Sequence, residues 1–162
     1  MRILPPVIGF LAAAGIVAGL AIGAPIGQAP GAVAPHAQPG AAEATPTLIV
    51  RSSRYGRILF DGRGRALYAF TRDPRGRTTC FNACLVAWPA YVVTGSLRAG
   101  AGVERARLGT IRRPDGKRQV KYGGRPLYYY VGDRSAGQVS CQNVREFGGL
   151  WLVVRSNGTL VR

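Results

Sequence analysis

From residue 47 onward, apolar and polar positions alternate in short runs, and Gly, Pro, Asp or Asn separates each run from the next. Runs of about five to seven residues that are rich in Tyr, Val, Ile, Leu and Phe are typical of strands. The pattern predicts strands at residues 48–51, 57–60, 66–71, 108–112, 118–122, 126–131, 150–155 and 159–161. One short helix is predicted around residues 81–87. Hairpins this closely spaced indicate an all-β, antiparallel domain.

Three turn signals support this interpretation. Residues 73–76 (Asp-Pro-Arg-Gly) fit a type I turn, and residues 114–116 (Pro-Asp-Gly) join two predicted strands tightly. Asn157 and Gly158 form the strongest short hairpin signal, because both residue types tolerate positive φ.

The domain contains an internal repeat. Residues 65–73 and 125–133 match at an offset of 60, and both copies read Leu-Tyr-x-aromatic-x-x-Asp. A glycine turn precedes each copy, and a Cys and then a Trp follow it. The repetition predicts two tandem repeats of about 60 residues, near 55–95 and 108–162, that are related by a pseudo-twofold axis.

Alternation along a strand places Tyr68 and Phe70 on one face, and Tyr128 and Tyr130 on the equivalent face of the second copy. We expect these aromatic residues to form core and cross-strand pairs. The alternative is an exposed aromatic platform, which would stack against a sugar ring or a flat cofactor.

Asp73 and Asp133 end the two repeated strands. An Asp at the first position of a turn caps the backbone, which is the role that we expect for both. The alternative is a paired acidic site for a cation. In so basic a chain, we expect the two carboxylates to pair with arginine instead.

Cys80 and Cys84 are spaced to form a disulfide, which we expect to be oxidised, buried beside Trp88 and inert. Pairing of either residue with Cys141 would instead join the repeats. A thiol–disulfide redox pair is a further hypothesis, although the spacing is one residue longer than Cys-x-x-Cys. We expect no metal site, because the Cys residues lack the other ligands of a closed set.

The N-terminal segment is apolar apart from Arg2, and residues 7–24 are uncharged throughout. Residues 1–24 are therefore predicted to be a cleaved signal peptide or a retained N-terminal membrane anchor. Residues 25–46 are rich in Pro, Ala and Gly and are predicted to be a disordered linker. The duplicated β domain then spans residues 47–162.

The chain has 22 Lys and Arg residues against 7 Asp and Glu residues, and a net charge of +15. Such a charge attracts an anionic wall polymer or membrane surface, although it also serves simply to keep a protein soluble. No nucleic-acid-binding motif accompanies it, so no specific nucleic-acid partner is expected. The single His, His36, lies in the linker, which excludes a Ser-His-Asp triad in the domain. We therefore expect neither enzymatic activity nor a cofactor.

These motifs together resemble a bacterial family of secreted repeats or predicted lipoproteins, which is marked by Tyr-x-aromatic-x-x-Asp. The Cys-x-x-x-Cys-x-x-x-Trp-Pro segment at residues 80–89, residues 109–116 and the Gly-Gly-Leu-Trp at 148–151 are also similar to it. Ala90 replaces a second Pro, Cys141 replaces a small residue, and the lipid-modified N-terminal Cys of many members is missing. The resemblance implies an exported, duplicated domain without an established activity. It also marks the motif residues as candidate binding residues: Tyr68, Phe70, Asp73, Trp88, Tyr128, Tyr130, Asp133 and Trp151.

The sequence thus predicts an exported cell-envelope protein, periplasmic, surface-bound or extracellular, that acts as a non-enzymatic binding module for an anionic component. The first alternative is a redox protein that uses Cys80 and Cys84. The second is a purely structural spacer of the envelope.

Overall fold

The structure is a computed structural model that describes residues 47–162. The predicted export segment 1–24 and linker 25–46 lie outside the described residues. The elements are β1 (Leu48–Ser53), β2 (Gly56–Asp61), β3 (Tyr68–Phe70), α1 (Ala83–Ala87), β4 (Val92–Val93), a 3₁₀ turn (Arg105–Arg107), β5 (Leu108–Arg112), β6 (Arg118–Tyr122), β7 (Arg125–Pro126), β8 (Val144–Glu146) and β9 (Gly149–Val153). No helix within residues 47–162 is long and apolar enough to cross a membrane.

The predicted all-β, antiparallel fold with one short helix is confirmed. Strands β1 and β2 form a hairpin, β3, β9 and β8 form a second sheet, and β4, β6, β5 and β7 form a third. Every pairing between these strands is antiparallel.

The predicted strand at 126–131 is wrong in its extent. Only its first residue belongs to a strand, β7, and Tyr128 then makes isolated bridges with Tyr68 and with Ala90. The Pro89 carbonyl accepts a hydrogen bond from the backbone N–H of Tyr129. Because proline has no N–H, it cannot donate to the Tyr129 carbonyl in return, and the ladder of backbone hydrogen bonds is interrupted there. The predicted strand at 159–161 is likewise reduced to one bridge, between Leu160 and Val154.

The two repeats exchange strands with each other. Strand β3 of the first repeat pairs with β9 of the second, and β4 of the first pairs with β6 of the second. At the centre, the backbone N–H groups of Tyr68 and Tyr128 each donate to the other residue's carbonyl at 2.9 Å. This reciprocal bridge joins equivalent positions of the two repeats, as the predicted pseudo-twofold relation requires.

The core lies on both sides of the central strands. Along β2, Ile58 and Phe60 join one buried cluster, while Leu59 between them joins the other. Because side chains alternate along a strand, a strand that is apolar at every position is buried on both faces. The first cluster contains most of the aromatic motif residues, and the second is mainly aliphatic.

The turn predicted at 114–116 closes where the sequence places it, because Gly116 donates to the Arg113 carbonyl. The turn predicted at Asn157 and Gly158 lies one residue earlier, because Gly158 donates to the Arg155 carbonyl, and of the two predicted central residues only Gly158 has positive φ. The turn predicted at 73–76 lies one residue later, because Arg77 donates to Pro74 while Gly76 donates to Gly124 of the other repeat. A contact between the repeats therefore shifts the local turn.

Candidate functional site

Four aromatic rings form a continuous stack at the junction of the two repeats. The indoles of Trp88 and Trp151 lie parallel, with ring centroids 4.0 Å apart. Phe70 stacks on the outer face of Trp151 at 4.3 Å, and Tyr130 lies against Trp88 at 4.8 Å. The stack thus follows the pseudo-twofold relation, since Phe70 and Tyr130 are equivalent residues.

The tyrosine of each copy of the motif is hydrogen-bonded to the aspartate of the other copy, and we call these two contacts the exchanged pairs. The Tyr68 hydroxyl donates to Asp133 Oδ2 at 2.6 Å, and the Tyr128 hydroxyl donates to Asp73 Oδ2 at 2.6 Å. The tyrosine and the aspartate of one copy of the motif therefore contact the other copy and not each other. We call these four residues and the aromatic stack the junction.

The second oxygen of each aspartate orders the loop that follows it. Asp73 Oδ1 accepts the backbone N–H of Thr79, and Asp133 Oδ1 accepts that of Ser140. The expectation that these carboxylates pair with arginine is wrong. Tyrosine hydroxyls and loop amides already use the carboxylate oxygens, and the described part of the chain has no ion pair to either aspartate.

Burial raises the pKa of several side chains of the junction. It raises the pKa of Tyr68 and of Tyr128 far above the usual range, and the neighbouring carboxylates act in the same direction. Burial also raises the pKa of Asp73, against hydrogen bonds from Tyr128 and Thr79 that lower it. Both tyrosines therefore remain protonated donors at neutral pH.

The structure buries most of the candidate motif residues. Tyr68, Trp88, Tyr128 and Trp151 are fully buried, and Phe70 and Asp133 are nearly so. Tyr130 and Asp73 are half-buried. The fully buried rings have no face open to a ligand. Their geometry accounts for a packing role, and a binding role for the eight residues stays a prediction.

Cys80 and Cys84 are joined in a disulfide, and both are buried in the aromatic cluster that contains Trp88. The guanidinium of Arg113 is buried beside them and donates to the Cys80 carbonyl at 3.1 Å. Cys141 occupies the position equivalent to Cys80 and is a free thiol, whose pKa is raised by burial.

A cleft of about 550 Å³ lies at the surface of the second repeat, and we call it the arginine pocket. Among residues 47–162, no acidic residue lines it. Its remaining lining comes from the glycine turns and from the C-terminal hairpin. Its four cationic residues are Arg75, Arg107, Arg125 and Arg162.

Three turns converge to build the arginine pocket. Gly123 and Gly124 form a tight turn with positive φ at both positions, and the Asn157–Gly158 turn lies against it. The turn after Asp73 is attached by two bonds, from Gly76 N–H to the Gly124 carbonyl and from Arg75 Nη1 to the Gly123 carbonyl, both at 2.8 Å. Glycine is favoured at both positions 123 and 124 because a residue with a Cβ is strained at positive φ.

The cations of this pocket are poorly compensated. Arg107 is paired with Glu104 at 2.6 Å, whereas none of the other three arginines is in an ion pair within residues 47–162. The Nε of Arg125 is buried and has no hydrogen-bond partner. Burial first, and then the charges of Arg75 and Arg162, lower the pKa of Arg125.

A second cleft of about 380 Å³ lies beside the equivalent turn of the first repeat, and we call it the tyrosine pocket. Here Arg65 lies over the ring of Tyr129 at 4.1 Å. Asp61 is buried in this pocket, accepts the backbone N–H groups of Arg63 and Arg65, and accepts the Tyr129 hydroxyl at 3.0 Å. The carboxylate of Asp61 is thus already paired within the chain.

The comparisons with known proteins agree with a duplicated domain. The family described as a secreted repeat of unknown function matches residues 50–91 and 109–155, which together are more than half of the chain. The chain belongs to this family. No curated protein and no solved structure matches the chain.

The two matched segments of this secreted-repeat family contain both copies of the motif and both tryptophans. Arg75 and Arg125 also lie within them, whereas Arg107 and Arg162 lie outside. The arginine pocket thus combines positions of the repeat with positions that flank it.

Sequence reasoning missed the arginine pocket because its arginines are scattered over 88 positions between Arg75 and Arg162. The available signal was the position of Arg75 and Arg125 beside predicted glycine turns. Within residues 47–162, no group of three or more His, Cys, Asp or Glu side chains could hold a metal ion.

Proposed function

We propose that this secreted repeat is a non-enzymatic binding module of the cell envelope, and that it binds an anionic component through the arginine pocket. The family supports an exported location. The observation that carries the proposal is a cleft that, among residues 47–162, is lined by four arginines and no acidic residue, with three of these arginines outside any ion pair. Like charges held in one cleft repel one another, and an anion bound among them would relieve that repulsion.

The charge of the domain acts in the same direction. All the basic residues except Arg2, and all the acidic residues except Glu43, lie in residues 47–162. Such an excess of positive charge speeds the encounter with a polyanion, and the effect weakens as salt screens it. The pocket then provides a defined place where the anion is held.

The test is salt-dependent binding of the full chain to two soluble polyanions, a polyol phosphate polymer and a polyuronate. We expect binding that weakens with salt, and a loss of about tenfold or more in Arg125→Gln, because hydrogen bonds to charged groups contribute about 1.5–3 kcal/mol each. Arg75→Gln should act in the same direction.

The matched controls are Arg134→Gln and Arg145→Gln, which remove the same charge from exposed positions that do not line the pocket. They should lower affinity only slightly. If the controls and the pocket variants weaken binding equally, the attraction is a property of the whole surface, and the proposal is wrong.

A further inference from the structure

We infer that the arginine pocket receives a terminal phosphate group, carried as a monoester on a larger envelope molecule. The inference rests on the proposed function and adds the chemical class of the ligand. It follows from the number of uncompensated cations, from the acceptor geometry that they need and from the size of the cleft.

The number of cations sets the charge of the ligand. Since Glu104 compensates Arg107, three arginines remain without an ionic partner, namely Arg75, Arg125 and Arg162. The three line one cleft, and the charges of Arg75 and of Arg162 each lower the pKa of Arg125. A phosphate monoester carries about −1.5 to −2 charges at pH 7, more than one carboxylate or one phosphodiester supplies.

The arrangement of the acceptor oxygens also favours a phosphate monoester. Each guanidinium presents a planar fork of donors, and one carboxylate matches one such fork with its two oxygens. The three terminal oxygens of a phosphate monoester spread in three directions, so several guanidiniums can donate to them together.

The size of the cleft indicates that the phosphate has a carrier. A volume of about 550 Å³ is much larger than a single phosphate needs. The additional space is bounded by Gly158, Thr159 and Leu160, which supply no charge. A sugar or a glycerol backbone fits this part of the lining, and both a phosphorylated glycan and a phospholipid would present the same phosphate chemistry.

Two pairs of probes separate the phosphate monoester from other anions. The first pair is glucose 1-phosphate and glucuronate, measured by calorimetry with the full chain. The second is vesicles that contain phosphatidate or, at equal total charge, phosphatidylglycerol. We expect the monoester of each pair to bind at least about tenfold more tightly, because two or more charge-assisted bonds are added. Arg125→Gln should abolish that preference, and Arg134→Gln should retain it.

The outcomes distinguish this inference from the proposed function. If glucuronate and phosphatidylglycerol bind as tightly as the monoesters, and Arg125→Gln weakens all four, the pocket binds anions without selecting phosphate. The inference is then wrong, and the proposed function stands. If Arg125→Gln changes none of the affinities while its unfolding midpoint is unchanged, both fail. Tighter binding to phosphatidate than to glucose 1-phosphate indicates a lipid carrier, and the reverse indicates a glycan.

Discussion

The junction and the arginine pocket use polar side chains in opposite ways. At the junction, each tyrosine hydroxyl of the exchanged pairs has a carboxylate of the other repeat as its partner. In the arginine pocket, Arg125 is partly buried and its Nε has no partner. One donor of the junction, Trp151 Nε1, is also buried without a partner. The difference lies in the tyrosines and aspartates, which are paired with each other across the repeats, whereas three arginines of the pocket have no ion pair.

This difference assigns different roles to the two regions. A buried polar network that is fully paired stabilises one arrangement of the chain. A cluster of like charges without partners opposes folding slightly and is retained where a ligand needs it. We therefore expect variants of the junction to change stability, and variants of the arginine pocket to change binding.

The largest effect is expected from Trp151→Ala. It removes the central ring that contacts Phe70 and Trp88, and it leaves a cavity in the core. The free energy of unfolding should fall by about 3–5 kcal/mol. Urea unfolding measures the loss, and Phe147→Ala, at a partly exposed position, is the control that should change it little.

The exchanged pair Tyr68–Asp133 is expected to contribute the next largest effect. Asp133→Asn, Tyr68→Phe and the double variant form a thermodynamic cycle in which we expect a coupling of about 1–3 kcal/mol, because the bond is buried and charge-assisted. Additive effects of the two substitutions would show that the bond between the repeats contributes nothing to stability.

The Cys80–Cys84 disulfide is expected to resist reduction, because both residues are buried in the core of the junction. Alkylation and mass spectrometry across a glutathione series should find it closed down to about −300 mV, as is usual for structural disulfides. Opening between about −120 and −270 mV would instead support the redox hypothesis. Cys141, a free thiol, provides the internal control for alkylation.

Asp73 should make stability depend on pH. Its pKa in the folded chain lies above the ordinary value of 3.8, mainly because it is buried. The folded state then binds this proton more tightly than the unfolded state does. The stabilisation that this raised pKa contributes to the folded state is complete below pH 3.8. It is lost as the pH rises through the pKa of Asp73 in the folded chain. As the pH rises through this range, the unfolding midpoint of the native chain should fall relative to that of Asp73→Asn. If the difference between the two midpoints does not change with pH, the pKa of Asp73 is not raised in the folded chain.

The smallest effect on stability is expected from Arg125→Gln. Burial and the charges of Arg75 and Arg162 disfavour the charged form of Arg125 in the folded chain, as its lowered pKa shows. The free energy of unfolding should therefore stay within about 0.5 kcal/mol of the native value, or rise. A loss comparable to that of Asp133→Asn would show that the arginine pocket is part of the structural framework.

Much of the local structure could be predicted from residues 47–162. Strands β2 and β6 follow from short runs that contain β-branched and aromatic residues, and the turns at 114–116 and 157–158 follow from glycines that adopt positive φ. Strands β4 and β8 could not be predicted, because two or three residues carry no period. Their strand geometry comes from the neighbours with which they pair, β6 and β9.

By itself, the sequence determined the antiparallel class and the duplication, because each depends on residues that are close in the chain or repeated along it. It favoured the pairing of Cys80 with Cys84 and left a bond to Cys141 open, and the structure decided for the former. Only the tertiary structure decided which aspartate each tyrosine contacts, since an offset of 60 does not tell whether repeats pair within themselves or with each other. It also decided that Arg75, Arg125 and Arg162 share one cleft. The physical reason is that arginines so far apart in the sequence come together only when the three turns that build the pocket pack against each other.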